Sequence, residues 1–390
     1  MISLPFGRTV QGAVIDITPL PAYGAAGTLE GAFVGADPAA HVVAPYIQIE
    51  GSGWWPKPTE AEPTVPINLD GSFSAPIGAA GLDEFATIYC AAVVPTGSTP
   101  PFVEGTASFP PALAGAPVAC RHRQGPTLDF AGRTWSVKEA PMVVGPGDNL
   151  FSADAQDVFV DGNGLHLTNT QRQGTWHSTE VFLTENLGYG AYAFQTSSRV
   201  DILDANAVFG AFTWDPFGDE TRIAAAPHRE IDFEDSRWGD PANTMNGQMV
   251  VQPFDVPGNL HPYAIPDLST DAELTRLFIW RPGRGDFTAL RGHHDPLNFP
   301  AGAIINSTTY VEAPALGHIV PTPGQDAFRF NLWLFGAAAP ANGLPVEVVI
   351  NDFHFTPLAM IPEPSSSILL LMMLTITLSF RALRCRNSRD

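Results

Sequence analysis

The sequence predicts an all-β protein: a small N-terminal β-sandwich, a larger jelly-roll sandwich, and a short hydrophobic C-terminal helix. Three observations carry this. From Leu128 to Pro357, strand-length runs rich in β-branched and aromatic residues recur about every ten residues, separated by turn signals. Glycine (36) and proline (37) are abundant while hydrophobic residues make up 45%, a balance that suits many short strands and excludes disorder. No helical periodicity of useful length appears before the C-terminal end.

The first unit covers residues 1–120. Its strands are the apolar runs "AHVVAPYIQI" and "FATIYCAAVV", and "NLDGSFSAPI" between them carries an Asp-Gly turn. In "GSGWWPKPTEAEP", Trp54 and Trp55 stand beside prolines. One of the pair is expected in the core, the other exposed for stacking on a sugar or a partner. A Pro- and Gly-rich stretch leads to a linker at 121–127.

The second unit covers 128–357. Its strands include "NGLHLTNTQ", "HSTEVFLT", "GAYAFQTSSRV", "AVFGAFTW", "HREIDFE", "GQMVVQPF", "LTRLFIWRP", "FRFNLWLF" and "VEVVINDFHF". That succession reads as a large sandwich or jelly roll. Residues 358–390 form a separate tail, apolar from Ile368 to Phe380 except for Thr375, Thr377 and Ser379, then carrying Arg381, Arg384, Arg386 and Arg389. The span is short for a transmembrane helix, and its arginines fit a cytoplasmic stop. The N-terminal "MISLPFGRTVQGAVIDITPL" does not read as a secretory signal.

With 40 acidic and 20 basic residues the chain has a formal net charge of -20, which excludes a nucleic-acid binder. Three cysteines, Cys90, Cys120 and Cys385, form no metal-ligand spacing. Cys90 and Cys120 suit either a disulfide or two buried thiols, and Cys385 in the tail has no evident partner. "GHHD", His293 to Asp295, is read as a loop and not a metal cluster, since adjacent strand residues point opposite ways. No cofactor is called for, and a structural calcium is left open.

The chemistry centres on "HREIDFEDSRWG". Alternation places His228, Glu230, Asp232, Glu234, Ser236 and Trp238 on one face and Ile231 and Phe233 on the other. Three acids at alternate positions arise by chance about 0.4 times in a chain of this composition, so spacing alone is weak. The apolar opposite face argues for a strand packed on one side. Strand rise sets the Cα atoms of Glu230 and Glu234 roughly 13 Å apart, and leaning side chains bring their carboxyls to about 5 Å, the separation of retaining glycoside hydrolysis. Asp232 between them can share a proton and hold the two pKa values apart.

"EIDFE" resembles the catalytic strand of glycoside hydrolase family 16, the laminarinase, lichenase, agarase and carrageenase group. "GYGAYAFQTSSRV", "AVFGAFTW", "FRFNLWLFG" and "VEVVINDFHF" resemble its flanking strands. The resemblance implies a concanavalin A-like jelly roll with a concave sugar-binding face. It implies Glu230 as nucleophile, Glu234 as general acid/base and Asp232 as assisting carboxylate, in an endo-acting retaining glycosidase on a β-linked glucan or galactan. Arg229 departs from the family, standing where many members have glycine, and Gln248 and Gln252 stand in a strand where some use histidine. Trp214, Trp238, His228, Gln248 and Gln252 are the substrate-binding candidates; the tryptophans serve equally as core and His228 equally as a structural hydrogen-bond partner. Trp135, Trp176, Trp280 and Trp333 are read as packing or rim residues.

The tail resembles the PEP-CTERM sorting signal: Pro362-Glu363-Pro364, an apolar span, then arginines. That resemblance implies an exported bacterial protein, transiently membrane-anchored and handled by an exosortase. A non-catalytic polysaccharide lectin and a transglycosylase of the same fold are the alternative readings.

Overall fold

A computed structural model describes residues 13–21, 23–78, 81–217 and 227–361. The expected sorting segment, its apolar span and Cys385 lie outside the described residues. Among the described residues there is no α-helix, only short 3-10 turns between strands, and no helix long and apolar enough to cross a membrane.

The N-terminal strands form two sheets. One joins Val14–Ile17, Thr28–Val34 and Ser72–Pro76; the other runs Gly53–Pro56, His41–Ile49, Ala86–Pro95, Val118–His122, with Val65–Pro66 also on His41–Ile49. Alternation sends Val43, Ile47, Tyr89 and Ala91 inward against Leu29, Phe33 and Phe73. The opposite face of the larger sheet buries Tyr46, Trp54 and Ile88 under Val103 and Leu113. Trp54 is the core anchor, edge-on to Phe109; Trp55 is half-buried against the inner core, so neither indole is a free platform. Cys90 and Cys120, directly opposite across two strands, are bonded. The last strand runs on to His122, and the buried Arg123 donates to the carbonyls of Pro21, Glu84 and Ala25.

The larger sandwich stacks two antiparallel sheets. The first runs Leu260–Tyr263, Gly247–Val251, Ile231–Ser236, Ala207–Trp214, Ala327–Leu334, Thr179–Leu183, Arg133–Val137, Thr127–Phe130. The second runs Val158–Asp161, Gly164–Arg172, Val346–Pro357, Gly190–Thr196, Leu274–Arg281, Arg284–Arg291, Ile304–Val311, with Thr175–His177 on Gly164–Arg172. Between them Trp135, Phe194, Phe209, Phe233, Phe278, Phe328 and Phe330 interlock, mostly edge-to-face. Trp135 and Trp280 are fully buried there, as the sequence suggested.

One charged pair crosses this apolar layer. Asp235 faces inward beside Phe233, and Arg276 from the second sheet donates to its Oδ2 at 2.5 Å, both side chains at most 2% exposed. Such a pair is tolerated only because each charge meets the other.

Candidate active site

The strand Ile231–Ser236 lies between Ala207–Trp214 and Gly247–Val251, with Asp232 opposite Phe212 and Glu234 opposite Gly210 and Gln248. Ile231, Phe233 and Asp235 turn into the core, so Asp232 and Glu234 project from the other face. Glu230 immediately precedes the strand. All three carboxylates line one pocket of about 350 Å³, within the range of small-molecule sites.

The alternation stops at both ends of this strand, which corrects two expectations. His228 and Arg229 take φ of 52° and 57°, a left-handed turn that costs about 1–2 kcal/mol per residue and turns His228 out of the strand pattern. Arg229 is held there by Asp215, which accepts from its Nε at 2.8 Å, and by Thr322, whose carbonyl accepts from Nη1. A glycine would adopt this backbone without strain. His228 still reaches the pocket: its ring lies flat on Trp214, centroids 3.9 Å apart, with Nδ1 2.9 Å from the Asp215 carbonyl. At the other end Trp238 has φ 53° and packs edge-on against Trp333 and Phe335. It does not line the pocket; Trp333 does.

Gln248 and Gln252 also differ from expectation. Their amides are engaged by the acids: Gln248 Nε2 donates to Glu234 Oε2 at 2.6 Å and Gln252 Nε2 to Asp232 Oδ2 at 3.0 Å. Neither lines the pocket; each holds a carboxylate in place.

Burial dominates the electrostatics. It raises Glu234 to about 7, with Gln248 holding the value down and Asp235 adding to the rise. It raises Glu230 to about 8, with the Glu234 charge acting the same way and a hydrogen bond from Asp232 acting against it. Asp232 is pushed well above the carboxylate range by burial and by the charges of Glu230 and Glu234. The mutual influence of the two lowers Glu230 and raises Asp232, so of this pair Asp232 holds a proton the more tightly. The upward shift on Glu230 opposes an ionised nucleophile; the Asp232 bond is the local influence that favours one.

The rest of the floor comes from strands whose contribution the sequence did not single out. Arg329, Asn331 and Trp333 alternate on Ala327–Leu334, and Glu180 lies opposite Asn331. Arg329 donates to Glu180 at 2.6 Å, and Lys138 sits 3.6 Å from the same carboxylate. Gly210 makes room for Asn331: a Cβ there would stand 2.4 Å from Asn331 Oδ1. The signal was present in "FRFNLWLF", which carries Arg329 and Asn331 on one face of an otherwise apolar strand. Among the described residues no group of His, Cys, Asp or Glu is arranged to hold a metal ion.

No known family pattern matches the chain, and no curated protein matches it. Solved structures do resemble it. An immunostimulatory antigen and pseudo beta-1,3-glucanase of Mycobacterium tuberculosis is 17% identical, covering 56% of this chain and 88% of its own, with a TM-score of 0.41. A beta-1,3-glucanase from Mycobacterium marinum is also 17% identical, covering 57% and 90%, with a TM-score of 0.41. A family 16 glycoside hydrolase of Bacteroides ovatus, solved with a G4G4G3G product, is 11% identical, covering 57% and 94%, with a TM-score of 0.40.

Proposed function

We propose that this protein is a retaining glycoside hydrolase acting on a β-linked polysaccharide of the glucan or galactan class. The observation that carries the reading is the set of three carboxyls, Asp232 buried and Glu230 and Glu234 half-buried, that line one pocket together with Trp214 and are all raised in pKa. Crowding three acids into a partly buried pocket without paired cations destabilises a fold, and a role in proton and glycosyl transfer accounts for their retention.

In this mechanism Glu234 gives its proton to the glycosidic oxygen as the C–O bond breaks, and Glu230 attacks the anomeric carbon to form a glycosyl ester. Water then attacks that carbon, Glu234 takes its proton, and Glu230 leaves as carboxylate. Asp232 donates to Glu230 and favours its ionised form, while Trp214 and Trp333 offer apolar surface to a sugar ring. Transfer to a sugar acceptor uses the same first half-reaction. The reading includes export to the cell envelope through the C-terminal sorting segment.

The test is Glu230→Gln in the full chain, assayed for reducing-end release on soluble β-glucans and galactans. Loss of release with an unchanged circular-dichroism spectrum is expected; retained turnover rejects the assignment. Binding without release by the unsubstituted chain would indicate a lectin, and products longer than the substrate a transglycosylase.

A further inference from the structure

The pocket is built by both sandwiches. Gln48, Glu50, Thr87, Ile88 and His122, all from the larger N-terminal sheet or its edge, line it together with the carboxylate floor. Two of them, Glu50 and His122, stand at the Thr179–Leu183 side of the floor. The His122 ring meets Phe182 edge-on at 5.2 Å, and Lys138 bridges floor to wall by an ion pair to Glu50 at 2.9 Å, its own side chain 10% exposed. Three strand spacings separate the carboxylate strand from Thr179–Leu183, about 14 Å across the floor. The contact is more than a touch. Phe217, just beyond Trp214, packs into the cluster of Tyr46, Trp54 and Ile88, and a Cβ on Gly51 would stand 3.0 Å from Met142 Sδ.

We propose that the N-terminal sandwich is the end wall of the active site, so that the protein takes glycan chains by their ends and excludes a chain that has none. The proposal rests on the hydrolase reading for its substrate class, and it replaces internal cleavage, the mode first expected, with cleavage near a terminus. A groove open at both ends lets a polymer lie through it. Here a chain running from the carboxylates towards Thr179–Leu183 meets His122, Thr87 and Glu50 after a short oligosaccharide. The wall is suited to a sugar terminus. Burial and the nearby charges of Arg329 and Lys138 push the His122 imidazole down to about 3, leaving it neutral and able both to donate and to accept at hydroxyls.

The full chain carrying Glu230→Gln reads binding without turnover. It is titrated calorimetrically with linear β-gluco-oligosaccharides from di- to hexasaccharide and with a cyclic β-glucan. Affinity that stops rising before the hexasaccharide, with the cyclic glucan weaker than the hexasaccharide by about 100-fold or more, supports the wall. Cyclic glucan binding within about threefold of the hexasaccharide overturns it. Thr87→Trp added to the same chain fills the wall end of the pocket and is expected to weaken oligosaccharide binding about tenfold or more; unchanged affinity also overturns the proposal. The chain without substitutions, assayed for reducing ends in parallel, separates the two readings. No turnover with end-limited binding retained sinks the hydrolase and leaves the wall supported, and no binding of any glycan sinks both.

Discussion

Replacing Gln248 by leucine isolates the contact that tunes the proposed general acid. Gln248 stands directly across from Glu234 and donates to it at 2.6 Å. A hydrogen bond to a charged group contributes about 1.5–3 kcal/mol, and one pKa unit corresponds to about 1.4 kcal/mol. Glu234 should therefore rise by roughly one to two units above its present value of about 7. The sign follows from which form the amide favours. Its N–H stabilises the carboxylate, so its loss favours the protonated acid, and leucine strengthens the burial that acts the same way. A general acid works while protonated, so the alkaline limb of the activity profile should move up in pH. The assay is kcat/KM for reducing-end release at each pH, with thermal melting at the same pH values to confirm folding. An alkaline limb that stays within about 0.3 unit or moves down refutes Glu234 as the acid tuned by Gln248.

Asp232→Asn should abolish most turnover yet stabilise the fold at alkaline pH. A carboxyl whose folded pKa lies above its unfolded one contributes stability below the unfolded value, and that contribution is lost as pH rises through the folded value. Asparagine does not ionise, so the difference in melting temperature between pH 5 and pH 8 should narrow; an unchanged difference argues against a buried, proton-holding Asp232. Trp214→Ala should raise KM about tenfold with kcat nearly unchanged in steady-state kinetics, whereas a fall in kcat alone would place the indole outside the sugar contact. Cys90→Ser with Cys120→Ser opens a loop of 30 residues and should cost about 3–4 kcal/mol in denaturant unfolding, seen also on adding reductant to the unsubstituted chain.

The fold class and the carboxylate strand were legible because both depend on local patterns. "EIDFE" shows its two faces in five residues, and the aromatic runs announce strands wherever a turn interrupts them. The limits of that strand were less legible. Nothing in "HREI" or "SRWG" announces the positive φ values that swing His228 away from the carboxylate row and send Trp238 against Trp333 and Phe335. Gln248 lies in the expected strand and Gln252 one residue past its end, but whether an amide meets substrate or a neighbouring acid depends on register across the sheet. Arg329, Asn331 and Glu180 needed the order of strands far apart in sequence. The wall residues needed the docking of one sandwich on another, for which no periodicity speaks.

The ion pair between Arg276 and Asp235 bears on how the chain avoids misfolding. Were Ile231–Ser236 to slip by one residue against its neighbours, every side chain would change face and the acids would be driven into hydrocarbon. Where the slip brings Ser236 to the place of Asp235, the guanidinium is stranded among phenylalanines with no counter-ion, a defect of about 3–5 kcal/mol. The pair thus acts as proofreading for the assembly of the carboxylate strand: a sandwich misaligned in that direction is penalised from inside, on the face away from the pocket.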